Sequence, residues 1–368
     1  MSCCDRTKVT AVVCFGCVVG ILSACSGGSG VATPVATTAT STTTTTSPPP
    51  PVVSAPQGAS LHGNTLPTAT GTAPNFTTSL PANGTIFPLD EAVLKIAWGN
   101  SQAGTSVTGY TDSLTGGATL TLQGTTAVNN ASVPTRNVFE LKVPGLSLDA
   151  PNIVSGSVNT LTDGRELRLN TSALNYSLLG AWSVSTWNTG HTGFDTTYWG
   201  VGFTGYQTPT SGIPTLGSAT YTAGPAGNVD EGFSPGGGVA GLATVFGNTP
   251  GLPIVDLKGQ ASVDVNFGTG KVNGSMFNMT AYLSGPSTDF APWNDVALSG
   301  NLSGATMQGT TSVTSAPSGP VSFGSGATGT FVGSLFGPNA QELGLSWTLY
   351  DPSGNGKSAI GVIGATTP

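Results

Sequence analysis

Few side chains in this sequence could do chemistry, and they are scattered. Past residue 80 the one histidine is His191, set between Gly190 and Thr192; His62 lies earlier. A lone histidine in such a loop is more often solvated than a ligand. No His, Cys and carboxylate set has metal-site spacing, and no Gly-x-Ser-x-Gly elbow joins a strand to a helix. Gly354-Asn355-Gly356-Lys357-Ser358 has the ending of a phosphate-binding loop, but Asp351 stands where its first glycine belongs. The strand-like Ala359-Ile360-Gly361-Val362-Ile363 follows it, not a helix whose N-terminus could hold phosphate, so the segment reads as a hairpin turn. Asp230, Glu231 and the acidic positions from Asp289 to Asp295 lack the Asp-x-Asp-x-Asp-Gly order of a calcium loop and read as solvated. No catalytic residue, metal or cofactor is assigned, and the chain reads as a non-enzyme.

Aromatic residues are more suggestive. Trp182, Trp187, Tyr198, Trp199, Phe203 and Tyr206 fall in one stretch with His191. Two readings stand side by side. The rings can line a core, or those around the 187–198 loop can project outward as binding anchors, since Trp and Tyr dominate interface hot spots. On the second reading Trp187, His191, Tyr198 and Trp199 are the candidate ligand-contacting residues.

Residues 1–24 read as an export signal. Arg6 and Lys8 give a basic start, and Val9 to Leu22 is an apolar run too short for a mature membrane helix. The run ends in Leu22-Ser23-Ala24-Cys25, which matches the lipobox of bacterial lipoproteins, so Cys25 is the expected lipidation site and new N-terminus. Ser26 in place of Asp favours release to the outer membrane. Four of the five cysteines (Cys3, Cys4, Cys14 and Cys17) lie in this segment, so the mature chain keeps only Cys25, with no disulfide within it and no thiolate metal site. Residues 25–79 are rich in Gly, Thr and Pro and poor in large apolar residues. They read as an extended tether that cannot offset the entropy of ordering.

Composition then constrains the rest. Charged residues make up 7% of the chain, against about 25% in ordinary soluble proteins. Removing Asp5, Arg6 and Lys8 from 10 basic and 17 acidic residues leaves 8 and 16, a net charge of −8. That excludes a nucleic-acid partner, which needs a clustered basic face, and direct docking on anionic lipid. Ala261 to Phe267, Leu345 to Leu349 and Ala118 to Leu122 alternate apolar and polar residues strictly, and turn signals separate such runs. The fold class is therefore all-β. No amphipathic helix longer than about three turns stands out, and Leu89 to Trp98 is the best candidate for one.

Phe331 to Gly344 is the most distinctive stretch. Its pattern predicts a strand, a short helical piece opened by Pro338, a left-handed cap at Gly344 and a return strand over Leu345 to Tyr350. Phe336-Gly337-Pro338-Asn339-Ala340-x-Glu342-Leu343-Gly344, followed by a strand and a Gly-rich terminal strand, resembles the C-terminal signature of the transferrin-binding-protein-B-like β-barrel family of bacterial surface lipoproteins. The order of a Gly-Ala-Trp strand (Gly180 to Trp182), a Gly-rich strand (Gly200 to Gly205) and a Pro-x-x-Gly-x-Ala-x-Tyr segment (Pro214 to Tyr221) extends the resemblance over about 174–364. The closing Gly364-Ala365-Thr366 departs from the family's usual Gly-Ala-Lys/Arg tail.

The resemblance implies a C-terminal eight-stranded antiparallel β-barrel over 173–368, preceded by a smaller β-rich handle-like domain over 80–172. It also implies an outer-membrane lipoprotein displayed at the surface, binding a host protein, metal carrier or small solute. Its partners would be that protein or solute ligand, the membrane through a lipid anchor, and the export machinery for surface lipoproteins. The other reading is a structural or accessory envelope lipoprotein that binds other envelope components.

Overall fold

The period-two runs form strands throughout. A computed structural model describes residues 58–61, 76, 80–98, 107–110, 117–127, 135–190, 194–224, 238–244, 254–282, 290–317, 319, 321–353 and 357–368. Its first ten strands are β1 (Ile86–Pro88), β2 (Asp90–Trp98), β3 (Val107–Tyr110), β4 (Thr119–Ala127), β5 (Thr135–Val143), β6 (Leu148–Val154), β7 (Ser157–Thr160), β8 (Glu166–Ala173), β9 (Ser177–Trp187) and β10 (Phe194–Gly205). Then follow β11 (Ser218–Ala223), β12 (Gly238–Thr244), β13 (Ile254–Asn266), β14 (Lys271–Tyr282), β15 (Phe290–Pro292), β16 (Val296–Ser303), β17 (Thr306–Val313), β18 (Thr328–Phe336), β19 (Glu342–Asp351) and β20 (Lys357–Thr366). Among the described residues there is no α-helix.

These strands make three sheets. A four-stranded sheet has the order β1-β4-β5-β6, and a six-stranded sheet the order β3-β2-β10-β9-β8-β7. The third runs β11-β13-β12-β20-β19-β18-β17-β16-β14-β15 and closes on itself through β13–β14 and β11–β20 pairs. β11 and β12 both run antiparallel to β13, pairing with its second and first halves respectively. They act as one wall strand interrupted between Gly224 and Gly238, and the break is bridged by the Val239 N–H donating to the Gly224 carbonyl at 3.1 Å. Counted so, the closed wall is an eight-stranded antiparallel barrel, as the sequence pattern and the resemblance imply.

The six-stranded sheet lies between the other two and is apolar on both faces. On one face Trp182, Val184, Leu167 and Leu169 pack with Leu120, Phe139 and Leu141 of the four-stranded sheet. On the other, Ala92, Leu94, Ile96, Leu179, Val201 and Phe203 pack on Ala240, Leu242, Ile360 and Val362 of the barrel's outer wall. Each large apolar side chain so buried contributes about 1.5–3 kcal/mol. A strand buried on both faces loses its alternation, which is why Ser177–Trp187 reads as a nearly continuous buried run.

Three local expectations change. The Leu89 to Trp98 stretch is strand β2 rather than a helix, because Ala92, Leu94 and Ile96 serve one face of the sheet while Leu89 and Val93 serve the other. No helical piece follows Pro338. Residues 337–340 form a tight turn, with φ of 83° at Gly337 and 56° at Ala340, and Glu342 already begins β19. Gly344 consequently lies in a strand, without a left-handed conformation. A Cβ there would stand 2.8 Å from the Phe203 ring and 2.9 Å from Phe336, so close approach of the six-stranded sheet is what calls for glycine.

The expected division near Ser172 does not coincide with a change of sheet. β9 and β10 join β2 and β8 in the six-stranded sheet, and the barrel wall begins only at Ser218. Within 25–79, described residues lie against the sheets. Ser60 pairs with Glu91 beside β2, Ala59 N donates to Thr330 Oγ1 at 3.3 Å, and Phe76 is buried against Phe87 and Tyr206. The remainder of that segment, with Cys25, lies outside the described residues.

Candidate functional site

The β9–β10 hairpin carries the candidate aromatic residues and also separates them. Its ladder reaches Phe194↔Trp187, with an irregularity between Phe194 and Thr196 that re-aims the end of the hairpin. There the Trp187 and Phe194 rings stand 4.3 Å apart at 47°. The Asn188 side-chain oxygen accepts the Gly190 N–H at 3.1 Å, a short polar turn of the kind Asn favours. His191 lies outside the described residues, as do Asp230, Glu231 and Asp289.

Tyr198 and Trp199 do not join this tip. Neighbours along a strand point to opposite faces. Tyr198 packs toward the four-stranded sheet with the Lys95 ammonium 5.0 Å from its ring centroid, whereas Trp199 is buried among the residues facing the barrel. Of the four sequence candidates, only Trp187 stands at the described part of the hairpin end. Phe194 is its true neighbour. The signal for it was the hairpin itself, since Trp187 and Phe194 flank one turn at the register of a strand pair.

The barrel interior is occupied by its own side chains. Trp293, Trp347, Phe331, Met276, Met279 and Tyr221 all point inward and are at most 2% exposed. Trp293 stands 6.2 Å from Trp347 and 5.3 Å from Phe323, and its indole N–H donates to the Val321 carbonyl at 3.1 Å. Asn294, fully buried, donates to the carbonyls of Ser315 and Phe323 and accepts from the Phe323 N–H at 2.7 Å, fixing the loop over that end. The other end is closed by the turn at Ala340, whose carbonyl accepts the Tyr221 hydroxyl at 2.7 Å. Burial pushes that phenol up to about 12. Eight-stranded barrels either fill with side chains or hold one small ligand, and this one is filled.

Two buried carboxylates fasten the layers. Glu91 accepts the Trp182 indole N–H and the Ala118 N–H, both at 2.9 Å, tying the six-stranded sheet to the start of β4. Burial is the largest influence on it and raises its pKa from 4.5 to about 7, against the lowering effect of those two bonds. Glu342, in the signature stretch, accepts from the N–H groups of Asn175 and Tyr176 at 2.7 and 3.0 Å and from the Ser177 hydroxyl at 2.9 Å. Burial raises its pKa as well. Neither role follows from motif spacing, although an acid inside an apolar run of so weakly charged a chain is itself a signal. Among the described residues, no three His, Cys, Asp or Glu side chains gather as metal ligands would.

The sequence over 213–367 matches the family described as C-lobe and N-lobe beta barrels of Tf-binding protein B. The matched residues begin just before β11 and end after β20, so they span the closed wall. The barrel is similar to the transferrin-binding protein B barrels. Solved structures similar to the chain include a double mutant of transferrin-binding protein B from Haemophilus parasuis Hp5, at 16% identity over 75% of this chain and 44% of that one, with a TM-score of 0.33. Another is the isotype 1 transferrin-binding protein B from serogroup B Neisseria meningitidis, at 15% identity over 69% of this chain and 52% of that one, with a TM-score of 0.34. This chain thus spans about half the length of those transferrin-binding protein B chains. No curated protein matches it in sequence. Within the family signature, Glu342 now has a physical role: it grips the β8–β9 turn, and Gly344 lets Phe203 lie against the barrel.

Proposed function

We propose that this chain is a lipid-anchored outer-membrane protein, displayed at the cell surface, that captures a protein ligand on its exterior. The observation that carries the choice of ligand class is the filled barrel. With Trp293, Trp347 and Phe331 packed inside, a small solute has no place in the barrel, and recognition falls to loops and strand ends. The Trp187–Phe194 hairpin end, with His191 between the two in sequence, is the proposed contact region, because an aromatic pair at a strand end is the type of anchor that dominates protein interfaces. Tyr198 and Trp199 leave the proposed contact set, since one faces the four-stranded sheet and the other the barrel.

Lipidation at Cys25 and export past the inner membrane rest on the lipobox and on Ser26. The barrel family includes proteins that bind transferrin, so a host protein is the favoured partner class, and no enzymatic role is proposed. The test is protease shaving of intact cells followed by pull-down with the mature chain. Surface cleavage together with capture of a protein that a Trp187→Ala, Phe194→Ala double variant fails to capture supports the proposal. Protection from the protease, with envelope components recovered instead, would favour an accessory envelope protein.

A further inference from the structure

The barrel wall has one weak seam. β12 and β20 share a single registered pair, Gly238↔Gly364, and β11 and β20 share only Thr222↔Thr366. Every other pair of adjacent wall strands has six or more. A side chain also ties the seam between these pairs. Thr244 Oγ1 accepts the Ser358 N–H at 2.8 Å and donates to the Ser358 carbonyl at 3.2 Å. Gly241 and Gly361 sit where the two strands crowd together. A Cβ on Gly241 would stand 2.6 Å from the Ile360 carbonyl oxygen, and one on Gly361 would stand 2.6 Å from that of Ala240.

The six-stranded sheet covers this line. Ala240 and Leu242 on one side of the seam, and Ile360 and Val362 on the other, share one apolar cluster with Leu179, Trp199 and Val201. Leu179 lies against Gly364, where a Cβ would meet its Cδ1 at 2.7 Å. Two polar ties hold the sheet in place: Ser346 Oγ donates to the Asp90 carbonyl at 2.7 Å, and Glu342, registered with Thr366 at the end of the seam, holds the β8–β9 turn. We propose that the six-stranded sheet is a splint that keeps the barrel closed along β12–β20, and that this seam is the place where the barrel opens when the splint loosens. A strand pair with few ladder hydrogen bonds opens at lower cost than its neighbours, so its closure depends on whatever is packed across it.

The test is hydrogen–deuterium exchange on the full chain. Leu179→Ala should speed exchange about tenfold over 239–243 and 359–363, a loss of about 1.4 kcal/mol of local protection, while β16 and β17 on the far wall stay unchanged. A disulfide made by Thr222→Cys with Thr366→Cys, at registered positions whose spacing suits the bond, should restore slow exchange in that background. In the otherwise wild-type chain it should slow the seam alone. Should Leu179→Ala fail to fold, Val201→Ala serves in its place, and the disulfide comparison needs neither. Equal acceleration of β16 and β17, or a disulfide that leaves seam exchange unchanged, would overturn the proposal.

Discussion

The Glu342 carboxylate accepts the backbone N–H of Asn175 at 2.7 Å, although 167 residues separate the two in sequence. With the Tyr176 N–H and the Ser177 hydroxyl on its second oxygen, it satisfies three donors of the β8–β9 turn at a place where water has little access. The stretch that resembles the family signature is thus a fastening between the barrel and the sheet in front of it.

Removing that carboxylate should be costly. Hydrogen bonds to a charged group each contribute about 1.5–3 kcal/mol, and stranded buried donors add a penalty. Glu342→Ala is expected to lower stability by on the order of 3 kcal/mol, and Glu342→Gln, which keeps one acceptor oxygen, by less. Thermal unfolding of the two variants against the parent checks this. Equal melting temperatures for all three would mean that the turn is held by something else.

Glu91 sets a pH dependence. Its folded-state pKa of about 7 lies above its ordinary value of 4.5, with burial as the main cause. The folded state therefore binds this proton more tightly than the unfolded chain does. The stabilisation is full below 4.5 and is lost as pH rises through 7, a change of up to roughly 3 kcal/mol by linkage. Glu342, raised by burial too, acts in the same direction. Urea unfolding at pH 5 and pH 7.5 should find the protein more stable at pH 5, and Glu91→Gln should shrink the difference. A parent protein less stable at pH 5 would contradict the assignment.

What the sequence disclosed, and what it hid, follows from the range of the interactions. Ala261 to Phe267 alternates because one face of β13 lines a packed barrel and the other meets solvent, so local pattern sufficed. β9 gave no such guidance. Buried on both faces, it could join either body, and its pairing with β8 and β10 is a property of residues far along the chain. The helix expected after Pro338 failed for a similar reason. Good helix formers there are overridden by the turn at Gly337 and Ala340 and by Glu342, whose partners lie in the β8–β9 turn. For the candidate site, the adjacency of Tyr198 and Trp199 already implied opposite faces once the stretch was read as strand. Which of those faces met the barrel was not legible.

Leu343 and Gly344 separate two kinds of constraint. Leu343 is fully buried in the barrel interior, so Leu343→Ala should cost about 2–5 kcal/mol. Gly344 faces outward against Phe203, so Gly344→Val should destabilise by overpacking, about 1–3 kcal/mol or more. Shortening the opposing ring distinguishes them. In the Phe203→Leu background Gly344→Val should cost measurably less, whereas Leu343→Ala should cost the same. A double-mutant cycle on melting temperature reads this, and no coupling between Gly344 and Phe203 would refute the contact as the reason for glycine.

The last prediction concerns the hairpin end. The Trp187 and Phe194 rings pack on each other, and neither residue belongs to the three buried clusters. Trp187→Ala should therefore shift the melting temperature little, by about what an aromatic pair of 0.5–1.5 kcal/mol and a half-buried ring contribute. Trp199→Ala, which empties a buried place between sheet and barrel, should cost about 3–5 kcal/mol. Binding should follow the reverse order. For a protein captured by the mature chain, Trp187→Ala should weaken affinity by tenfold or more, because truncating a hot-spot aromatic costs about 2 kcal/mol or above. Trp199→Ala should leave the affinity of the folded fraction unchanged. Titration calorimetry on both variants decides the matter: if Trp199→Ala alone abolished binding while Trp187→Ala bound normally, the contact region would lie at the sheet–barrel junction and not at the hairpin end.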